Sequence, residues 1–314
     1  MSIPLSLHKP IISIVGPTAS GKSSLAQNVA KRLGGAVLSA DSMQIYKGMD
    51  IGTAKIKPEE QEVPHYLIDI VEPGYSYSAQ QFQTQARELI TNLDQKGIVP
   101  ILCGGTGLYV QAALEDMNFP KGEQDNNPVR EFYTNFLKEK GSEALWDELN
   151  RVDSQSAQVI HPNNSKRIIR ALEMHTEGIS YAEQAKNIKS LEEIVPSLRY
   201  GIQVDREILN ERINKRVDLM IEEGLVSEVE TLLNQGFESA LTAPQAIGYK
   251  EIVAALHGKC TLDEAIDQIK LATRRYAKRQ RSWFNRDKKI KWLNSSKLSS
   301  DEMALVIESD FQSL

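Results

Sequence analysis

Gly16-Pro17-Thr18-Ala19-Ser20-Gly21-Lys22-Ser23 constrains what this chain can fold into more than any other stretch. It has the form G-x-x-x-x-G-K-[ST], and its flanks give the pattern structural meaning. Ile11-Ile12-Ser13-Ile14-Val15 is an apolar, β-branched run that predicts a buried strand just upstream. Downstream, Leu25, Val29 and Leu33 recur at helical spacing until Gly34-Gly35 stops the helix. Strand, glycine loop and helix together make a phosphate cradle. Loop amides turn inward on an anion, and the helix start adds the positive end of its dipole. Lys22 can reach the outer phosphate oxygens, and the Ser23 hydroxyl can sit on Mg²⁺. A glycine turn with nothing bound would need neither side chain at the helix entrance.

The chain has 314 residues, 41% of them apolar and 25% charged, enough for one large or two modest cores. No run approaches the roughly 18 apolar residues of a membrane helix. Met1 to Pro10 lacks a signal-peptide core, so a cytoplasmic protein with no membrane partner is expected. Cys103 and Cys260 are far apart and have no C-x-x-C partner, which excludes a disulfide scaffold or a zinc finger. The net charge of −5 hides an asymmetry. Between Lys270 and Lys291 ten Lys or Arg residues face Asp287 alone, so this stretch carries +9 and the rest −14. A localised basic face on an acidic protein is a binding footprint for nucleic acid.

Taken in order, Ala36 to Ala40 predicts a second strand ending at Asp41-Ser42. In an open parallel sheet ligands collect at the carboxyl ends of strands, which puts Asp41 at the same crevice as the glycine loop. There it can bind Mg²⁺ through water, act as general base, or cap the next turn. Gln44 to Lys57 has no apolar period and reads as a largely exposed loop, followed by a short strand over 63–70. Ser78 opens a helix through Gln95, with Gln81 completing a capping box. Ile98 to Leu102 predicts a strand ending in Cys103-Gly104-Gly105-Thr106-Gly107, with Thr106 placed for a ligand or a tight turn, then a helix through Leu114. Cys103 reads as a small core residue.

From 115 to 197 the strand signal disappears, and helices are predicted over 129–140, 142–150, 153–160 and 164–177. Lys166, Arg167 and Arg170 fall near one face of the last of these, as a basic patch or as solvated charge. A strand at 200–204 resumes the sheet, and the next helix carries Arg212 and Arg216 on one face, opposite Leu209, Ile213, Val217 and Met220. Late-helix arginines of this kind close over phosphates in phosphate-transfer folds. Glu264 to Phe284 is a long helix in which Tyr276, Trp283 and Phe284 interleave with Lys270, Arg274, Arg275, Lys278, Arg279 and Arg281, a pattern suited to loop or single-stranded RNA. A last strand is expected over 290–293. The predicted class is α/β: a P-loop NTPase-like parallel sheet flanked by helices, with an all-helical insertion. Domain limits are 1–114 for the first part of the core, 115–198 for the insertion and 199–314 for the rest.

These features leave several reactions open, and a resemblance narrows them. The loop at 16–23 is followed by Asp41-Ser42-Met43-Gln44-Ile45-Tyr46-Lys47-Gly48-Met49-Asp50-Ile51-Gly52-Thr53-Ala54-Lys55 and Val63-Pro64-His65. Then come Gly104 to Tyr109, Ala243 to Lys250 around Ile247-Gly248-Tyr249, Thr273-Arg274, Tyr276 to Gln280, and Trp283-Phe284. In this order, from about residue 10 to 294, they resemble the bacterial tRNA dimethylallyltransferases, also called IPP transferases. Ser23 stands where threonine is common there, which keeps the hydroxyl.

The resemblance implies transfer of a dimethylallyl group from dimethylallyl diphosphate to N6 of the adenine just 3′ of the anticodon, in tRNAs reading codons that begin with U. It implies a diphosphate on Gly16, Pro17, Thr18, Ala19, Ser20, Gly21, Lys22 and Ser23, with Mg²⁺ as cofactor on Ser23. Asp41, Lys22, Ser23 and Arg216 are the implied catalytic residues. Asp41, Ser42, Met43, Gln44 and Thr106 are implied along the adenine's approach. Arg130 with Lys166, Arg167, Ile168, Ile169 and Arg170 would grip the anticodon stem-loop from one side. Gln245, Gly248, Tyr249, Lys250, Arg274, Lys278, Arg279 and Gln280 would hold it from the other. A monomer is expected. Rival readings are prenylation of free adenine nucleotides, a P-loop kinase acting on a small metabolite, and an RNA-binding nucleotide switch without transfer chemistry.

Overall fold

The structure is a computed structural model that describes residues 4–119, 127–187, 191–240 and 242–314. It divides into two compact units, residues 1–114 with 194–314, and residues 115–193.

In the first unit β1 (Ile11–Val15) enters the glycine loop, which leads into α1 (Lys22–Leu33). Gly34 ends that helix with φ 63°, and β2 (Gly35–Ser39) starts at once. Then follow β3 (His65–Tyr66), α2 (Ala79–Gln95), β4 (Val99–Gly104) and α3 (Gly107–Leu114). In the second unit lie α4 (Pro128–Val152), α5 (Ser154–Val159), α6 (Ser165–Thr176) and α7 (Tyr181–Asn187). The first unit resumes with β5 (Ser197–Gln203), α8 (Arg206–Glu222), α9 (Leu225–Asn234), α10 (Tyr249–Leu256), α11 (Leu262–Phe284), β6 (Lys291–Asn294) and α12 (Ser300–Gln312).

The six strands form one parallel sheet in the order β3-β2-β4-β1-β5-β6. Every residue of β1 and β2 is buried, as a parallel sheet covered on both faces requires. Alternate residues feed two cores: Ile11, Val15 and Leu38 pack towards α2, α3 and α9, while Ile12, Ile14 and Val37 pack towards α1 and α12. Val15 pairs with Gly104, and Ser39 with Cys103, so three strand ends meet at one edge. No described helix is long and apolar enough to cross a membrane.

The predicted elements differ from the observed ones in three places. The strand expected over 63–70 is only His65–Tyr66, because Leu67 and Asp69 take φ of 62° and 55°, outside any ladder. The loop from Gln44 to Lys57 is not largely exposed. Ile45, Tyr46 and Met49 are fully buried in the core that also holds Leu225, Val229 and Tyr249, and Lys55 is sealed between Asp50, Asp69 and the Tyr46 carbonyl. Its apolar residues anchor an irregular segment, so they follow no period. The helical unit ends at Glu193 and not at 198, because Ile194 and Val195 already belong to the core of the sheet unit.

The second unit is helical among its described residues, apart from an isolated Glu115–Glu193 bridge. Asn127, Asp153 and Asn164 cap α4, α5 and α6, and α4 breaks at Gly141, with φ 83°. Its core is built from Leu145, Leu149, Ala157, Ile168, Ile169 and Leu172.

Candidate active site at the carboxyl ends of the strands

The glycine loop is held in an unusual shape. Ala19, a residue with a Cβ, takes φ 62°, and Gly21 takes φ 89°. A left-handed alanine costs energy and persists where the surroundings enforce it, as at ligand cradles. Gly21 gives α1 no side-chain cap, so the first-turn N–H groups stay available to an anion. Ser20 Oγ is buried and has no hydrogen-bond partner among the described residues, one more donor left over inside the loop. Lys22 Nζ donates to the Pro17 carbonyl at 3.2 Å. Burial pushes its pKa below the ordinary lysine value, against the pull of Cys103 and Asp41. An anion in the loop would reverse that penalty.

Arg216 comes over from α8. Its Nη1 donates to Thr18 Oγ1 at 3.3 Å and its Nη2 to the Thr53 carbonyl at 3.5 Å. Its pKa is likewise lowered by burial, with Asp41 opposing the shift. Two half-buried cations beside one loop are a site for concentrated negative charge. Arg212, one turn earlier, is exposed and takes no part.

Asp41 follows the end of β2, and its Oδ1 accepts the Met43 N–H at 2.9 Å, which fixes the carboxylate. The Ser42 N–H donates to Thr106 Oγ1 at 3.0 Å, and the Thr106 N–H to the Ala40 carbonyl at 3.1 Å. The two strand ends are thereby laced together. Gln44 spends its amide inside the protein: it accepts from Ser39 Oγ at 2.8 Å and donates to the Thr53 and Ala54 carbonyls.

A cavity of about 500 Å³ opens among these residues. Lys22, Ser23, Asp41 and Arg216 line it, and Ile213, Val217, Met220, Ala246, Ile247 and Ile269 give it apolar surface. Gln245, Gly248 and Lys250 line it too, as do Thr273, Arg275, Tyr276 and Arg279 from α11. Arg275 and Tyr276, expected on the RNA-facing helix, line the cavity itself. Tyr276 shares one helical face with Ile269, Ala272, Thr273 and Arg279. Tyr276 lies beneath the Arg279 guanidinium, 5.6 Å from ring centroid to Cζ, and burial pushes its hydroxyl up to about 12. Cys103 is buried as expected, its thiol raised to about 11 by desolvation, which makes it a poor nucleophile.

Several residues assigned to RNA contact lie elsewhere. Gln280 is buried and joins the two glycine turns: its Oε1 accepts the Thr18 N–H at 2.8 Å and its Nε2 donates to the Gly105 carbonyl at 2.9 Å. A Cβ on Gly105 would stand 2.1 Å from that Nε2, so any other residue there displaces the Gln280 amide. Tyr249 is fully buried, with its hydroxyl on Glu228 at 2.6 Å. Arg274 Nη1 is held by Asn214 Oδ1 at 2.5 Å, while Lys278 is exposed. In the helical unit Ile168 and Ile169 are core side chains, not contact residues. Arg130 and Arg170 are both engaged by Glu173, itself 1% exposed, and Lys166 and Arg167 are exposed.

The comparisons with known proteins agree with this architecture. A family model described as IPP transferase matches residues 44–287. The tRNA dimethylallyltransferase of Carboxydothermus hydrogenoformans is 50% identical over 303 residues, covering 95% of this chain and 96% of the relative. A crystal structure of tRNA delta(2)-isopentenylpyrophosphate transferase from Staphylococcus epidermidis superposes with a TM-score of 0.72 at 40% identity, covering 98% of this chain and all of that one. A structure of a eukaryotic dimethylallyltransferase acting on tRNA gives 0.78 at 27% identity, covering 97% of this chain and 80% of that one. Near-complete coverage by relatives of one kind, joined to a matching family model across most of the sequence, means that this chain belongs to the IPP transferase family.

Proposed function

We propose that this protein transfers the dimethylallyl group of dimethylallyl diphosphate to N6 of the adenine 3′-adjacent to the anticodon, in tRNAs reading codons that begin with U. The products are N6-dimethylallyladenosine and diphosphate. One observation carries the reading: a single cavity is lined by two half-buried cations beside a glycine loop, by apolar side chains, and by a carboxylate held by a backbone amide. Dimethylallyl diphosphate joins a short apolar branched chain to an anion, and the cavity offers apolar side chains for the one and cations for the other.

In this reading the diphosphate lies along the loop, with Lys22, Arg216, the Ser20 hydroxyl and the first-turn amides of α1 around it. The Thr18 amide is spent on Gln280 and is not among these donors. As the bond from the allylic carbon to the diphosphate oxygen breaks, charge grows on oxygens already faced by fixed donors. Asp41 accepts a proton from the adenine amine as that nitrogen bonds to the carbon. The amine is a weak nucleophile, so placement supplies much of the rate. Because Asp41 lies inside a cavity, the base leaves its stack to reach it. Lys250, Arg275 and Arg279, exposed where they line the cavity, are suited to backbone phosphates, with Lys278 beside them. Lys166 and Arg167 are the candidates on the helical unit.

The oxygen donors present fit Mg²⁺, which takes few protein ligands and keeps its waters. The Ser23 hydroxyl and the Asp41 carboxylate line the same cavity, and no cluster of three metal-ligating side chains exists among the described residues. The Ser23 hydroxyl would hold the ion against the diphosphate, with Asp41 reaching it through water, and the ion would neutralise leaving-group charge.

The test uses labelled dimethylallyl diphosphate, Mg²⁺ and an anticodon stem-loop carrying the target adenine, beside one with guanine there. Label in the first RNA alone is the expected result. No label in either, with ATP consumed on adding a small acceptor, would replace the reading with a kinase.

A further inference from the structure

Glu228 on α9 makes an arrangement that neither the phosphate loop nor the RNA-facing helix accounts for. Its Oε2 accepts the N–H groups of Asp50 at 3.0 Å and Ile51 at 2.8 Å. Its Oε1 accepts the N–H of Gly52 at 3.3 Å and the Tyr249 hydroxyl at 2.6 Å. Three consecutive backbone amides and a phenol thus converge on one carboxylate, filling the roughly four acceptor positions it offers. Tyr249 packs so close beneath the turn that a Cβ on Gly52 would stand 2.4 Å from its ring. All four donors are neutral.

The turn held in this way enters the cavity. Gly52, Thr53 and Ala54 line it, whereas Glu228 and Tyr249 do not. One residue beyond the anchored amides, the Thr53 carbonyl accepts from Arg216 Nη2 at 3.5 Å and from Gln44 Nε2 at 3.2 Å. The other guanidinium nitrogen reaches Thr18 of the phosphate loop. The Gly52 N–H lies in one peptide plane with the Ile51 carbonyl, which accepts the Ala54 N–H at 3.0 Å, and that N–H lies in one plane with the Thr53 carbonyl, so the anchored turn sets the direction of the Thr53 carbonyl.

We propose that Glu228 is a positioning residue for the transfer reaction: by ordering residues 50–52 it aims the Thr53 carbonyl, which holds Arg216 over the phosphate loop. This rests on the reading above, that Arg216 faces the diphosphate of the donor. Glu228→Gln keeps the size but turns an NH₂ group towards N–H donors, so the turn relaxes and Arg216 loses its bearing.

The experiment measures kcat and KM for dimethylallyl diphosphate, with Kd for inorganic diphosphate and for the stem-loop, well below the melting temperature of each full-length variant. Glu228→Gln is expected to lower kcat/KM for the donor by about 10–100-fold, the scale of a small misplacement at the reacting centre. Inorganic diphosphate should bind about tenfold more weakly, while stem-loop affinity stays within about twofold. Tyr249→Phe removes one donor and should move the same quantities less far, with the fold intact. The double variant Glu228→Gln, Arg216→Ala should be within about twofold of Arg216→Ala alone, because both act through one group.

Losses that multiply in the double variant, or an unchanged kcat/KM in Glu228→Gln, would overturn the proposal and leave the donor-site reading standing. Wild-type protein that fails to bind inorganic diphosphate, or Arg216→Ala with wild-type kinetics, would overturn both.

Discussion

The Thr18 N–H of the phosphate loop donates to Gln280 Oε1 at 2.8 Å, across 262 positions of sequence. A residue on the basic helix α11 therefore closes one amide of the anion cradle, and its other end holds the Gly105 carbonyl. Gln280→Ala leaves a loop donor and a buried carbonyl without partners, a loss of about 1–3 kcal/mol. Thermal unfolding should report that loss, and steady-state kinetics should show a raised KM for the donor with stem-loop affinity little changed.

The parts of this site that sequence alone revealed are those built from local chemistry. The loop at 16–23, Asp41 at its strand end and the Gly104-Gly105 turn sit next to elements whose period and punctuation are plain. Gln280, Tyr249, Ile168 and Ile169 were expected at the RNA, and the structure buries their side chains for a shared reason. Each lies within a motif read as RNA-facing, and a helix of about 3.6 residues per turn turns one side of such a motif into the core. Glu228 was invisible because its partners are backbone amides, which leave no trace in residue identity. The loop from Gln44 to Lys57 misled because buried residues in an irregular segment have no period.

Lys22 should give diphosphate binding a characteristic pH dependence. In the empty site burial lowers its pKa, and a bound anion favours the ammonium. Binding therefore takes up protons wherever the free site has lost this one, so affinity is full below the lowered pKa and falls as pH rises through it. Calorimetric titration with inorganic diphosphate across alkaline pH should show that fall in the wild type. The weaker binding of Lys22→Met should lack this component.

Arg279 and Lys278 are exposed on α11, where RNA phosphates are expected. Replacing either with Gln should weaken stem-loop binding about equally for all sequences and reduce the slope of log K against log salt by about one per lost phosphate contact. Titrations at several salt concentrations measure it. A slope that does not change would move the RNA face away from this helix.

In the helical unit Glu173 is 1% exposed and carries both Arg130 and Arg170. Glu173→Ala strands two partly exposed guanidinium groups and should cost about 2–4 kcal/mol, somewhat below the ~3–5 kcal/mol of a fully buried pair. Arg130→Ala should likewise lower stability more than it lowers RNA affinity. Thermal unfolding and filter binding of the same preparations separate the two effects.

The most direct test of the account is the single-turnover rate of allyl transfer in Asp41→Asn, with donor and stem-loop both pre-bound. Asparagine keeps the shape and can still accept the Met43 N–H, but it cannot take a proton at neutral pH. The account predicts a rate lower by about 10²–10⁴-fold, the usual worth of a positioned base, with stem-loop Kd within about twofold of wild type. A rate close to wild type would contradict it, and the proton acceptor would then have to be sought elsewhere in the cavity.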